Sequence, residues 1–206
     1  MPRDGTATRE RILDAAERLV IENGFAATSV DRVIVESGTS KGAFFHHFES
    51  KLDLAKSLVD RYAAADIAHL HDAVTRVQGA TDDPTQRVIE FVRILENTAD
   101  DLMAAQSSCL YVSILTERQL ARHGTSEQIA RAVVAWRRTL SSMLDEALAT
   151  QPTNQQIDTD ALADHVFVTF EGAFILSRSM NDSRHMRAQL TVLRQLIERL
   201  LLSHPG

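Results

Sequence analysis

The chain of 206 residues contains one cysteine, four prolines, eight glycines and no long hydrophobic run. The single cysteine, Cys109, excludes an intrachain disulfide framework and a cysteine-based zinc cluster, so we expect a reduced and buried thiol. No stretch approaches the roughly 18 uninterrupted apolar residues that span a bilayer, and residues 1–6 lack the apolar segment of a signal peptide. We therefore expect a cytoplasmic protein with no membrane partner.

The chain also lacks an excess of positive charge. Its net charge is −6, with seven basic and eight acidic side chains in residues 1–51, and fifteen and twenty in residues 52–206. Non-specific affinity for nucleic acid comes mainly from lysine and arginine side chains that neutralise phosphates. The charge excludes a protein that coats nucleic acid indiscriminately, but it allows a sequence-specific reader of DNA.

Apolar residues recur at intervals of three and four along the chain, and few prolines or glycines interrupt them. This spacing is typical of amphipathic helices and differs from the alternation of strands. It predicts an all-α fold in which Asp83 and Pro84 begin one helix as N-cap and first residue. Three short helices are expected at about residues 7–23, 30–36 and 40–46, and a long fourth helix from Ser50 to the linker at 79–84. The fifth should run from that linker to about residue 106, the next over 109–117, and another from the break at 122–126 to the loop at 151. The last two are expected at about 158–180 and 184–203.

The last two predicted helices are apolar on more than one side. A helix on the surface of a globular protein needs only one apolar stripe. The excess predicts that a second subunit covers this pair, as in a four-helix dimer interface. We expect the following residues at the interface of a homodimer: Phe167, Phe174, Leu193, Ile197 and Leu200.

Two short helices and a glycine turn lie near the N-terminus. The parts of a helix-turn-helix follow one another at about residues 29–48: a first helix at Val30–Glu36, a turn at residues 37–39 and a second helix at Ser40–His46. Many helical proteins contain a glycine turn. The pattern alone therefore leaves open a helical protein–protein interaction module that does not bind DNA.

The sequence around this turn resembles the TetR family of bacterial repressors, whose signature reads roughly T-x-x-x-I-A-x-x-A-G-V-S-K-G-T-L-Y-H-H-F-x-x-K. The match runs from Ser29 to Lys51, and the run Ser40-Lys-Gly-Ala-Phe-Phe-His-His-Phe-Glu-Ser-Lys51 makes it specific. Close resemblance covers about residues 8–58. It implies an N-terminal three-helix DNA-binding domain over 1–55. A long fourth helix would join it to a helical effector-binding and dimerisation domain over 56–206, with about nine helices in all.

The resemblance also implies roles for single residues. Phe45 stands where the family has a tyrosine, so we expect the phosphate contact of that hydroxyl to be lost or moved to His46. Phe44 and Phe48 are interpreted as core, packed on Leu19 and Val33. The residues expected to contact bases or backbone of operator DNA are Ser29, Thr39, Ser40, Lys41, Ala43, Phe45, His46, His47 and Lys51.

In the C-terminal part, the resemblance implies a cavity for a small-molecule effector. Aromatic residues at helical spacing are more often plain core than ligand contacts. The expected lining is mostly apolar, which favours a hydrophobic or aromatic effector over a sugar or a phosphate. The candidate pocket residues are Leu95, Met103, Tyr111, Trp136, His165 and Phe170.

The histidines do not form a pattern typical of metal sites. His46 and His47 are adjacent on a helix and point about 100° apart, and His69 and His71 are interpreted as a solvated face. The sequence also lacks a glycine-rich phosphate loop and a G-x-S-x-G motif. We therefore expect no metal, no cofactor and no enzyme. The resemblance implies instead a ligand-responsive repressor that binds a palindromic operator as a dimer.

Overall fold

The computed structural model describes residues 5–105, 109–115, 125–150 and 157–202. All regular structure within these ranges is helical, which confirms the all-α prediction. No helix among the described residues is long and apolar enough to cross a membrane. The helices are α1 Gly5–Asn23, α2 Val30–Glu36, α3 Lys41–His47, α4 Lys51–Ala80, α5 Pro84–Ala105, α6 Leu110–Leu115, α7 Thr125–Ala149, α8 Thr159–Met180 and α9 Arg184–Leu202.

Side-chain caps fix where several helices begin. Asp83 Oδ1 accepts hydrogen bonds from the backbone N–H groups of Thr85 and Gln86, at 2.9 and 3.4 Å, with Pro84 as the first helical residue. At α4, Ser50 Oγ accepts from the N–H of Asp53 at 3.1 Å. These side chains satisfy N–H groups that have no partner inside the helix. The starts predicted for α4 and α5 are thus confirmed.

The chain divides into two compact units, and the first comprises residues 5–65 together with the described residues 109–115 and 125–131. The predicted boundary at residue 55 lies within α4, ten residues before this division. The segment around α6 joins the first unit because α6 packs against α1 and buries Leu110, Tyr111 and Ile114. Tyr111 also meets Tyr62 of α4 edge to face, with ring centroids 5.0 Å apart.

An ion cluster ties α4 to α1 within this unit. Arg61 of α4 donates to Asp14 at 2.6 Å and to Glu10 at 3.2 Å, and it also donates to Glu17. Burial alone would lower the pKa of Arg61, but its hydrogen bonds to Asp14 and Glu17 outweigh that effect and raise it. The guanidinium therefore stays charged and holds three carboxylates of α1 on one side of α4.

The second unit comprises the described residues from 66 to 105 and from 132 to 202. Its core includes Leu70, Phe91, Leu144 and Met186, and α9 packs against both α5 and α8. Ion pairs reinforce the α5–α9 contact, because Glu96 accepts from Arg194 Nε at 2.8 Å. The core of this unit is therefore built around α9.

The structure corrects the predicted dimer interface. Phe174, Leu193 and Ile197 expose only 4%, 2% and 1% of their surface and belong to the core of their own chain. The prediction was wrong for these three because each packs into the core of its own unit, in which α9 contacts both α5 and α8. Phe167 and Leu200 are half-buried, and their place in an interface stays a prediction.

A different set of apolar side chains is exposed on the same two helices. On α8, Ile175 is 50% exposed, and on α9, Leu196 is 55% exposed. Exposed apolar side chains that recur along one side of a helix often mark a surface that another molecule covers. We call this set the outer face, and it consists of Val168, Ile175 and Leu176 of α8 and Val192 and Leu196 of α9.

Candidate nucleic-acid interface

The interface begins with α2, whose start and end are defined by local hydrogen bonds. Ser29 Oγ accepts from the N–H of Arg32 at 3.2 Å, as expected of an N-cap. At the other end, Gly38 has φ +60°, a left-handed conformation that glycine adopts without a steric penalty. This turn ends α2 after Glu36 and leads the chain into α3.

Hydroxyl groups stiffen the turn between the helices. Ser37 Oγ donates to the carbonyl of Ile34 at 3.2 Å and lies 2.8 Å from Thr39 Oγ1. Ser37 is buried and Thr39 is half-buried. The hydroxyl of Thr39 is therefore engaged inside the turn, which limits the part it can play in a DNA contact.

The helix α3 presents one buried and one exposed side. Phe44 and Phe48 are buried, with ring centroids 5.7 Å apart, which confirms their interpretation as core. Lys41 and His46 lie on the exposed side, and Phe45 exposes 47% of its surface while it meets Phe44 edge to face. The aromatic core thus fixes the rotation of α3 and sends the predicted contact residues outward.

Ser40 caps this helix, because its Oγ accepts from the N–H of Ala43 at 3.1 Å. Ser40 is exposed and Ala43 is half-buried. His47 is half-buried, and a Cβ placed on Gly5 would lie 3.5 Å from its ring. The start of α1 therefore lies beside the end of α3.

Arg9 lies next to this surface, a position that the sequence did not predict. Its guanidinium lies 5.3 Å from the centroid of the Phe48 ring, and it pairs with Glu10 at 3.5 Å. The contact brings a cation of α1 to the end of α3. An arginine one or two turns into α1 carries no sequence signal of this kind, because only folding brings it next to Phe48.

Lys51 has an intramolecular role that the sequence did not predict. Its Nζ donates to the carbonyl of Phe25 at 2.7 Å and to that of Ala26 at 3.3 Å. It also lies 4.2 Å above the ring of Phe25. The ammonium thus binds the chain where it leaves α1, and its predicted phosphate contact has to compete with these bonds.

The predicted effector residues do not all lie together. Leu95, Met103, Trp136 and Phe170 belong to or pack on the core of the second unit, and Trp136 meets Phe91 edge to face at 5.9 Å. His165 is exposed on α8 and does not belong to this group, so its place in a pocket stays a prediction. Tyr111 is buried in the first unit instead.

Trp136 carries an unsatisfied polar atom. Its indole Nε1 is buried and finds no acceptor among the described residues. A buried N–H without a partner costs about 1–3 kcal/mol, so such a group in a native protein calls for an explanation. His69 and His71, by contrast, are exposed, in agreement with the solvated face predicted for them.

Two family models match the chain. Residues 12–58 match the model described as bacterial regulatory proteins, tetR family. Residues 84–193, more than half of the chain, match the model described as tetracyclin repressor-like, C-terminal domain. The first match contains α2, the turn and α3, and the second begins at the first residue of α5.

Characterised proteins and solved structures agree with these matches. The chain is 22% identical to the transcriptional regulator AcuR of Cereibacter sphaeroides over 85% of this chain and 78% of that protein. It is 19% identical to the transcriptional repressor DhaR of Mycobacterium sp. strain GP1, over 91% and 90%. A TetR transcriptional regulator from Chloroflexus aurantiacus has the same fold, with a TM-score of 0.78 at 24% identity over 96% of this chain and 97% of that one. The chain therefore belongs to the tetR family of bacterial regulatory proteins, and it is a DNA-binding transcriptional regulator, not an enzyme.

Proposed function

We propose that the chain is a repressor that binds a palindromic operator as a homodimer, with α3 in the major groove. The observation that carries this proposal is the division of α3 into a buried side, Phe44 and Phe48, and an exposed side that bears Lys41, Phe45 and His46. A recognition helix needs such a division, because it must be held rigidly while its side chains reach base edges. DNA is the partner, so the proposed place of action is the cytoplasm. An interaction module without DNA binding is not favoured by the family.

Lys41 is the side chain best suited to test DNA binding. It is exposed and makes no hydrogen bond or ion pair with any described residue, so its removal should leave the fold intact. The experiment uses fluorescence anisotropy at several salt concentrations to measure binding to the DNA upstream of the gene that encodes this chain. Lys41→Ala should weaken binding and reduce the salt slope by about 1.8 for each bound dimer, because each of the two subunits loses one phosphate contact of about 0.9. Wild type without salt-sensitive specific binding to any genomic fragment would refute the proposal.

A control variant removes an exposed positive charge outside the first unit. Arg76→Ala removes an exposed cation of α4 in the second unit, and we expect unchanged operator affinity. His47→Ala should weaken binding as Lys41→Ala does. If Lys41→Ala and His47→Ala both bind as wild type does, the recognition surface is assigned wrongly.

The outer face of α8 and α9 is the proposed dimer interface. It replaces the buried residues that the sequence had suggested, and Val168, Gly172 and Ile175 follow one another along a single side of α8. Gly172 has no atom within 4 Å of the place where a Cβ would stand, so a second helix can approach the backbone closely. Two copies of this face would form the four-helix interface expected of such a pair.

The effector is proposed to be a hydrophobic or aromatic molecule bound in the second unit near Leu95, Met103, Trp136 and Phe170. The unpaired indole N–H of Trp136 supports this, because an effector with one acceptor group could satisfy it. Trp136 is the single tryptophan, so its fluorescence reports binding directly. An effector must change that fluorescence and lower operator affinity through preferential binding to one conformation.

A further inference from the structure

The second unit contains an open cleft between α4, α5 and α7 that is separate from the predicted effector residues. Its volume is about 330 Å³, and Val74, Pro84 and Met143 form its apolar walls. Sites for small molecules have volumes of roughly 300–1,000 Å³ and combine apolar walls with a few polar groups. The cleft is therefore large enough for a small organic molecule.

Arg87 supplies an oriented pair of hydrogen-bond donors in this cleft. Its Nε donates to the carbonyl of Thr81 at 2.8 Å, which fixes the plane of the guanidinium. Its Nη1 is 4.0 Å from Glu146 Oε2, and its Nη2 is 3.6 Å from Asp82 Oδ1. Both distances exceed hydrogen-bond length. Within the described part of the chain, the two terminal nitrogens thus make ion pairs but no hydrogen bonds, and a ligand can form closer contacts with both.

A second cation lines the same cleft. Arg138 of α7 is exposed and forms no ion pair with a described residue. Thr139 and Ser142, on the same side of α7, add hydroxyl groups that can donate or accept. The polar half of the cleft therefore has two guanidinium groups and two hydroxyls, opposed by the carboxylate of Glu146 in the lining and by the exposed carboxylate of Asp82 beside Arg87.

The balance of charge decides the class of ligand. Two arginines and one glutamate line the cleft and give the lining a net charge of +1, which matches a monoanion. Asp82, 3.6 Å from Arg87 Nη2, is fully exposed to solvent, so it offsets this charge only weakly. A phosphate dianion would leave a net negative charge in the cleft, whereas the planar fork of a guanidinium fits a carboxylate with two parallel hydrogen bonds. The apolar walls leave room for a compact hydrocarbon body next to that carboxylate.

We propose that this cleft binds a small organic carboxylate, with its carboxyl group on Arg87 and its apolar body against Val74, Pro84 and Met143. Arg138 supplies the second positive charge. This site goes beyond the proposed function, since it depends neither on operator binding nor on the pocket around Trp136. Its failure would leave the DNA-binding proposal unaffected, because that proposal is tested by operator affinity alone.

The test uses benzoate and hexanoate as probes, with benzamide and hexanamide as neutral partners of the same shape. Binding to the full-length protein is measured by isothermal titration calorimetry. We expect both carboxylates to bind, and each amide and inorganic phosphate to bind at least about tenfold more weakly, a difference of about 1.4 kcal/mol. Equal binding of acid and amide, stronger binding of phosphate, or no binding of either acid would overturn the proposal.

Variants locate the probe within the protein. Arg138→Ala and Arg87→Lys should each weaken benzoate binding severalfold, while Arg76→Ala, which removes an exposed arginine outside the cleft, should not change it. Glu146→Gln removes the competing carboxylate, so it should tighten binding. Circular dichroism confirms that each variant is folded. Benzoate affinity that is unchanged in Arg138→Ala, or weaker in Glu146→Gln, contradicts a carboxylate site here.

Discussion

The ammonium of Lys51 lies 2.7 Å from the carbonyl oxygen of Phe25, to which it donates a hydrogen bond, and 4.2 Å above the ring of the same residue. The lysine of α4 thereby holds the chain where it leaves α1. A hydrogen bond that involves a charged group contributes about 1.5–3 kcal/mol. We predict that Lys51→Ala lowers the stability of the first unit by about 1.5 kcal/mol, measured by thermal unfolding followed by circular dichroism.

Lys41→Ala is the matched control for this experiment. It removes the same charge from a side chain that has no described partner, so its melting temperature should equal that of wild type. Lys51→Ala should therefore lower the melting temperature, whereas Lys41→Ala should change the salt dependence of operator binding. If Lys51→Ala melts as wild type does and only reduces the salt slope, Lys51 acts through phosphate as the sequence alone suggested.

Arg61 is predicted to couple α1 and α4 through its three carboxylate partners. Arg61→Met leaves Glu10, Asp14 and Glu17 close together without a cation, so they repel one another. Removing one partner from a partly buried ion cluster should cost about 1–3 kcal/mol. Arg61→Lys keeps the charge but loses the planar fork, and it should recover only part of that loss.

Urea unfolding of both variants checks this prediction. Arg18→Met is the control, since Arg18 forms one exposed ion pair, 3.4 Å from Glu36, and such pairs contribute little. Arg61→Met and Arg18→Met should thus differ clearly in their urea midpoints. Equal midpoints would show that the Arg61 cluster contributes no more than a surface pair.

Glu96 makes the stability of the second unit depend on pH. Burial alone would raise its pKa, but hydrogen bonds from Thr191 and Arg194 outweigh burial and hold the pKa below its ordinary value of 4.5. Because the pKa of Glu96 is lower in the folded state than in the unfolded state, its carboxylate contributes fully to the free energy of unfolding at pH values above 4.5. That contribution is lost as the pH falls through the folded pKa.

Glu96→Gln should therefore unfold more easily than wild type at pH 7, and the difference should shrink as the pH falls below about 4.5. Trp136 fluorescence during urea unfolding measures the second unit, which contains the chain's single tryptophan. Glu90→Gln, which breaks the exposed pair with Arg93, should have a small effect at every pH. A difference for Glu96→Gln that grows on acidification would contradict the prediction.

The parts of the fold that could be predicted are those that short stretches of sequence determine. The helix starts at Ser50 and Asp83 and the glycine turn at Gly38 depend on a few neighbouring residues, so their positions follow from spacing alone. The roles of Lys51 and Arg9 could not be predicted, because each depends on a contact between separate helices. On α9 the spacing predicted a helix with two apolar sides, but it could not say that Leu193 faces inward and Leu196 outward.

That distinction gives a sharp test of the dimer. Val192 and Leu196 are 47% and 55% exposed on the outer face of α9, whereas Leu193 between them is buried. Val192→Glu with Leu196→Glu should keep the helical circular dichroism spectrum and give monomers in sedimentation velocity, because two charges cannot be covered by a second apolar face. Leu193→Glu should instead unfold the second unit, since its carboxylate would lie in the core. A double variant that remains dimeric would exclude the outer face as the interface, and a stable, monomeric Leu193→Glu would restore the interface first predicted from the sequence.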